Sequence, residues 1–352
     1  MKGRNIELIR AELEEQRRTT EDIVIHPKGI EMGWNGDLRL AKKMIVKPTS
    51  WAHQQIAQYL DIPKAYYDRM IENDGALLAT NVNHWLQKQE NPNERRLLRS
   101  VAGKLRGFLS NSFRPRDSYD LLKVVLPILY AHKFEIHEAE LTDKRMYIKA
   151  TLPTLRGEVK VGDTVSYGII ISTSDVGAGS TRIEEFFMRL SCMNGMVAHS
   201  KLRERHVGKK LGGGEEDFEM LSQETLQAEN EVFFMKVRDN LEASIKPENF
   251  QAQIEKMKEA AVTPITNFDA IEVVKRASTY LGITSKAIRE TVTSALANGN
   301  EGAGYTKWGL INSFTAAAKM QTISYDETVD LERAGGRLLA VSNTDWKQIA
   351  AA

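Results

Sequence analysis

The chain has 352 residues, of which 42% are hydrophobic and 27% are charged, and its formal net charge is +1. This composition is typical of globular proteins, and the near-zero charge excludes a field over the whole molecule that would attract nucleic acid or an acidic membrane. No apolar run is long enough to cross a bilayer, and the first residues lack the apolar centre of a signal peptide, so we expect a cytoplasmic protein without membrane partners. The one cysteine, Cys192, excludes an internal disulfide and a cysteine-rich metal site.

The first predicted elements, in chain order, are helices and a hairpin. The spacing of apolar residues predicts a thin amphipathic helix over residues 5–18, and Asn35-Gly36 predicts a tight turn inside a hairpin over residues 23–40. Helices are then predicted over residues 50–60, 64–72 and 76–88. The two helices around Pro63 are similar to a DNA-binding helix-turn-helix, but any helical hairpin with a proline at this position has the same pattern.

A basic stretch follows these helices. Between positions 95 and 116 there is no acidic residue, and the seven cations are Arg95, Arg96, Arg99, Lys104, Arg106, Arg114 and Arg116. Alternation predicts one strand over residues 99–113 that presents Lys104, Arg106 and Phe108 on an exposed face. Such a face suits single-stranded nucleic acid, since cations bind phosphates and a base stacks on an aromatic ring. The alternative is a solvated basic face with Phe108 in the core.

The middle of the chain predicts a sheet with one helix before it. Asp117 is the expected N-cap of a helix over residues 118–131, and a hairpin is expected over residues 133–141 and 145–152, with Tyr147 and Lys149 facing outward. Residues 164–173 are typical of a buried strand, and residues 182–192 of a second strand or a short helix. The glycine-rich turn at residues 172–180 is either only a turn or an anion site formed by backbone amides.

A second basic cluster follows this hairpin, and the rest of the chain is predicted to be helical. The cluster consists of Lys201, Arg203, Arg205, Lys209 and Lys210. The pattern predicts an α+β fold, with a largely antiparallel central sheet flanked by helices and a helical C-terminal part. The expected parts are an N-terminal region of hairpin and helices (residues 1–92), a basic α+β core (93–211) and a helical region (215–352).

The sequence lacks the usual catalytic constellations. It contains no P-loop, no zinc-hydrolase histidine pair and no nucleophile elbow. Asp175, Glu184 and Glu185 have the chemistry to bind magnesium, but neighbouring residues on a strand point to opposite faces. We therefore expect no catalytic residues, no metal and no cofactor.

Three segments carry a resemblance to a known family: residues 108–129, 167–196 and 305–320. The second of them, YGIIISTSDVGAGSTRIEEFFMRLSCMNGM, is the most specific. Together they resemble the prokaryotic phage and plasmid family called domain of unknown function 932, over roughly residues 50–325. The resemblance implies a protein of a mobile element in a bacterial cytoplasm, and it transfers no catalytic residue because the function of the family is unassigned.

Mobile elements often encode single-strand annealing proteins of the Red-beta and RecT type, and the basic patches are compatible with that role in DNA recombination. The hypothesis implies single-stranded DNA as ligand, homo-oligomers in rings or filaments, and a partner exonuclease. The predicted contacts are Arg99, Lys104, Arg106, Arg114, Arg116, Lys201, Arg203, Arg205, Lys209 and Lys210 for phosphates, and Phe108 and Phe113 for bases. The alternatives are a metal-dependent nucleic-acid enzyme and a structural or interaction protein.

Overall fold

The computed structural model describes residues 3–40, 44–204, 223–244, 248–299 and 303–351, and it confirms the α+β class with a helical C-terminal part. The helices are α1 (Ile6–Thr19), α2 (Ser50–Tyr59), α3 (Lys64–Asn73), α4 (Gly75–Gln87), α5 (Ser118–Ala131), α6 (Gln223–Ser244), α7 (Glu248–Val262), α8 (Ala270–Leu281), α9 (Lys286–Ala297), α10 (Lys307–Ala317), α11 (Tyr325–Leu339) and α12 (Asn343–Ala350).

The strands of the described ranges form two sheets rather than one. They are β1 (Thr20–Ile25), β2 (Ile30–Met32), β3 (Leu38–Leu40), β4 (Met44–Pro48), β5 (Arg96–Val101), β6 (Lys104–Ser110), β7 (Glu135–Leu141), β8 (Met146–Lys160), β9 (Asp163–Thr173), β10 (Thr181–Arg189) and β11 (Asn194–Glu204). The first sheet has the order β1-β5-β6-β4-β3-β2, and β4 and β6 are its parallel pair. The second sheet is antiparallel, in the order β11-β10-β9-β8-β7.

The basic stretch is a hairpin, so the prediction of one strand over residues 99–113 is wrong. The chain reverses at Ala102 and Gly103, whose φ values of +48° and +77° lie in the left-handed region. Strand β5 also pairs with β1, which places this hairpin in the sheet of the N-terminal strands. The proposed division at residues 92 and 93 therefore falls within one sheet.

Both faces of the second sheet are covered by helices. One face packs Ile169 and Ile183 against α1, α5 and α6, and the other packs Ile170 and Phe186 against α11. The outward face predicted for Tyr147 and Lys149 is therefore wrong, since these side chains are 0% and 3% exposed. Charged side chains of this face consequently lie in a buried interface.

The glycine-rich turn after β9 joins the two sheets. The carbonyl of Val176 accepts hydrogen bonds from Trp51 Nε1 at 2.8 Å and Gln55 Nε2 at 2.9 Å, and both donors belong to α2. Gly177 has φ +74°, and a Cβ there would lie 2.8 Å from Leu109 of β6. These contacts give the turn a structural role at the junction of the sheets.

Candidate nucleic-acid interface

Two of the predicted phosphate contacts in the basic stretch are buried. Arg99 is 3% exposed and forms ion pairs with Asp117 and, at 3.7 Å, with Asp22. Arg106 is 7% exposed, and its Nη1 lies 3.2 Å from Asp175 Oδ2. Acidic residues that are distant in sequence thus neutralise both cations, and neither guanidinium faces solvent.

The two predicted stacking residues are also buried, which contradicts their role as base platforms in this conformation. Phe108 is 2% exposed and packs on Tyr59, with ring centroids 5.5 Å apart. The guanidinium carbon of Arg96 lies 5.0 Å from the ring centroid of Phe108. Phe113 is 7% exposed and belongs to a small cluster with Leu97 and Leu109. Alternation predicted one exposed aromatic face, but the helices over the sheet cover that face.

The remaining cations of this stretch have different surroundings. Lys104 is exposed at the start of β6. The guanidinium carbon of Arg116 lies 4.1 Å from the ring centroid of Phe233, and its Nε donates to Asn230 Oδ1 at 3.3 Å. Arg114 lies 3.8 Å from Glu229. Arg114 and Arg116 therefore contact α6, so the first basic patch is mainly a set of internal contacts.

The second basic patch contains a cation in a different setting. Arg203 is exposed on β11, and in the antiparallel register it lies directly opposite Arg182 of β10. Like charges at directly opposed positions of a sheet repel each other. Lys201 also lies on β11, whereas Arg205, Lys209 and Lys210 lie outside the described residues.

Two further arginines complete what we call the arginine cluster: Arg145, Arg182, Arg203 and Arg333. Burial and the positive charge of Arg333 lower the pKa of Arg182. The charges of Arg203 and Arg145 lower it further, whereas the carboxylate of Glu184 raises it. Arg182 thus lies among three other positive charges.

Carboxylates hold two members of the cluster in place. Arg333 donates to both oxygens of Glu184, with Nη2 to Oε2 at 2.5 Å and Nε to Oε1 at 3.2 Å. Arg145 lies 3.6 Å from Asp326, which also accepts from the hydroxyl of Tyr147 at 2.6 Å. Arg182 has a longer contact to Glu184 of 3.8 Å. Arg333 and Arg145 are therefore braced, whereas Arg182 and Arg203 remain the cations most available to a ligand.

A cavity of about 630 Å³ adjoins the cluster. Arg182, Arg333 and Arg337 line it together with Thr284 and Ser285 at the N-terminal end of α9. Backbone N–H groups at the start of a helix favour an anion. Glu184, Glu327 and Asp330 also line the cavity, so an anion is expected only beside the arginines.

The sequence did not indicate Arg145, Arg182, Arg333 or Arg337. A simple hairpin register could have paired positions near 182 and 203, but β10 and β11 carry irregularities between Ile183 and Glu184 and between Glu184 and Phe186. Each irregularity changes which residues are opposed. Arg333 comes from a helix more than a hundred residues away, and no local pattern indicates its position.

Two of the acidic residues considered as magnesium ligands form ion pairs with arginines instead. Glu184 binds Arg333, and Asp175 binds Arg106. Within the described ranges, no three or more His, Cys, Asp or Glu residues are grouped so that they could hold a metal ion.

Comparisons with known proteins found no matching family model, no matching curated protein and no matching solved structure. The resemblance to the domain of unknown function 932 therefore rests on its three segments alone. Among the helices of the described residues, none is long and apolar enough to cross a membrane.

Proposed function

We propose that this protein binds single-stranded DNA through the arginine cluster and promotes strand annealing in recombination, in the manner of the Red-beta and RecT type. The observation that carries the proposal is the direct opposition of Arg182 and Arg203 on neighbouring strands. A phosphate between the two guanidiniums would relieve their repulsion and accept from both. The mobile-element origin and the bacterial cytoplasm remain part of the proposal.

The form of the surface favours a single strand over a duplex. Arg182 and Arg203 of the cluster lie on β10 and β11, at the edge of the second sheet formed by β11, and positions 201–210 of the sequence contain four further cations. Proteins that bind single strands without sequence preference track the backbone with a row of cations. Because the described surface offers no exposed aromatic from the basic stretch, phosphate contacts are expected to supply most of the affinity.

Fluorescence anisotropy with labelled single- and double-stranded oligonucleotides, at about 50 mM and about 200 mM salt, tests the proposal. Arg182→Gln and Arg203→Gln should each weaken single-strand binding roughly threefold to tenfold, evenly across sequences, and reduce the salt slope by about 0.7. Arg39→Gln is the matched control, since Arg39 is also an exposed arginine on a strand but lies in the first sheet.

The same titration, together with a measurement of how fast complementary strands pair, separates the competing functions. Absence of single-strand binding by the wild type at low salt would overturn the proposal and favour a structural or interaction protein. Binding without faster pairing of complementary strands would retain DNA binding and remove the annealing role.

A further inference from the structure

A second cavity, of about 210 Å³, lies away from the arginine cluster on the other side of α11. Two of the segments that carry the family resemblance meet there. The second segment contributes Met193, Asn194 and Gly195, and the third contributes Thr315, Ala318 and Lys319. Glu332 of α11 lines the cavity together with Glu138 and Lys149 of the sheet. The binding of DNA by the arginine cluster uses none of these residues.

The inner wall of the cavity is a buried charged group. Lys149 is 3% exposed, and its Nζ donates to Glu332 Oε1 at 2.7 Å and to Glu138 Oε2 at 3.4 Å. The hydroxyl of Tyr325 also donates to Glu138 Oε2, at 2.9 Å. Two carboxylates thus share one ammonium, and the group can accept further hydrogen bonds.

Two side chains of the wall have unused hydrogen-bonding atoms. Asn194 is 4% exposed, and within the described chain neither its Oδ1 nor its Nδ2 has a partner. Glu332 is 5% exposed, and its Oε2 is likewise unpartnered. Buried polar groups in native proteins are nearly always paired, so three such atoms around one cavity point to a ligand or to ordered water.

The chemistry of the missing partner follows from the three atoms. An ionised Glu332 and the Asn194 carbonyl offer two acceptors, and the Asn194 amide nitrogen offers donors. A matching ligand presents two donors beside one acceptor on one edge. A cavity of roughly 150 Å³ is known to hold benzene, so a cavity of this size admits a flat ring system but not a whole nucleotide.

We infer that this cavity binds a guanine base, whose N1–H and N2–H donate to Glu332 and Asn194 while its O6 accepts from the amide of Asn194. Uracil offers one donor between two acceptors, and cytosine offers one donor beside two acceptors, so each base would leave a protein acceptor unpaired. The inference does not depend on DNA binding at the arginine cluster, because the two cavities share no lining residue. A free nucleoside and a guanine within a strand offer the same edge, so either can be the ligand.

Isothermal titration calorimetry of the full chain with guanosine, inosine, cytidine and uridine, at about pH 8, tests the inference. This pH is chosen because burial raises the pKa of Glu332 against the opposing charge of Lys149. Guanosine should bind, and inosine, which lacks the N2 amino group, should bind about tenfold more weakly. Asn194→Ala and Glu332→Gln should each weaken guanosine binding by about tenfold or more. Glu290→Gln, an exposed change on α9 outside both cavities, should leave it unchanged.

A crystal structure of the wild type grown with guanosine provides a readout that does not depend on the folding of variants. A base in the cavity supports the inference, whereas ordered water alone overturns it, as does equal binding of guanosine and uridine. Competition by a deoxyguanosine-containing oligonucleotide, lost in Asn194→Ala, would identify the base of a strand as the ligand. Guanosine binding without such competition would identify a free nucleoside or nucleotide.

Discussion

His53 is a half-buried titratable residue of α2 whose protonation opposes folding. Its Nδ1 lies 3.1 Å from the hydroxyl of Tyr67, and burial, together with the positive charge of Lys64, lowers its pKa from 6.5 to about 4. The unfolded chain therefore binds a proton that the folded chain does not between pH 6.5 and about 4. The free energy of unfolding therefore has its full value above pH 6.5 and decreases as the pH falls towards 4.

We expect His53→Gln to flatten the pH dependence of stability in this window. Wild type should lose about 3 kcal/mol from this residue between neutral pH and pH 4, and the variant should not. Urea unfolding of both proteins at several pH values measures the difference. His84→Gln, which changes an exposed histidine on α4, should behave as wild type. If the His53 variant retained the full pH dependence, other groups would have to account for it.

At the residue scale, the sequence predicted charge but not exposure. Arg99 and Arg106 belong to a run of cations without an acid, and the pattern indicated a binding face. Their partners, Asp22, Asp117 and Asp175, lie outside that run. Ion pairs depend on distance in space, so a local charge count could not show that these arginines are neutralised.

Helix α11 determines the geometry of both proposed sites because it packs directly on β11. Gly336 is the contact point: a Cβ there would lie 1.9 Å from the carbonyl oxygen of Val197 and 2.9 Å from Ala198 Cα. Arg333 and Glu332 lie one turn earlier on the same helix. A glycine inside a helix is unfavourable in itself, so its presence reflects the close approach of the strand.

We expect Gly336→Ala to destabilise the protein although alanine favours helix. The gain in helix propensity of about 1 kcal/mol should be outweighed, because a methyl group in contact with a backbone forces α11 away from the sheet, at a cost of about 3 kcal/mol. Thermal and urea unfolding measure the net loss. Arg337→Ala changes the next, exposed residue and should keep wild-type stability. An unchanged or higher stability of Gly336→Ala would show that the helix and strand can separate without cost.

At the element scale, local signals predicted helices and turns well. Thr49 accepts from Ala52 N as the N-cap of α2, and Gly36 has φ +83° in the predicted hairpin turn. Asp117 precedes α5 as expected, although its carboxylate binds Arg99 instead of capping the helix. Asn194-Gly195 is a common turn sequence, but both residues already belong to β11 and line the second cavity.

At the scale of the whole molecule, the sequence predicted the fold class but not the arrangement of the sheets. The strands before and after α5 have similar patterns, and nothing local indicates that they form separate sheets. The candidate sites were harder to predict, because Arg182 and Arg203 depend on the register of a bulged hairpin and Arg333 on the packing of a distant helix. The glycine-rich turn, which the sequence left open between turn and ligand site, connects the sheets through Asp175 and Val176.

The ion pair of Arg106 and Asp175 is the charged contact within this junction, and its side chains are only 8% and 11% exposed. Removing one partner of a buried pair leaves the other charge uncompensated, at a cost of about 3–5 kcal/mol, whereas removing both avoids this cost. Arg106→Met and Asp175→Leu should therefore each destabilise strongly, and the double variant should lose less than the sum of the two. Urea unfolding of the four proteins gives the coupling energy, which we expect to be about 1–3 kcal/mol.

The exposed pair of Lys286 and Glu290 on α9 provides the control cycle, because a helical surface pair of this kind couples by about 0.3–0.5 kcal/mol. Hydrogen exchange adds a spatial readout. If the pair holds the sheets together, the single variants should expose amides of β5 and β6 at lower free energies than amides at the centre of the second sheet. If the losses of stability were additive and hydrogen exchange rose equally in both sheets, the ion pair would not hold the sheets together. The hydrogen bonds of Trp51 and Gln55 with Val176 would then be the contacts that do so.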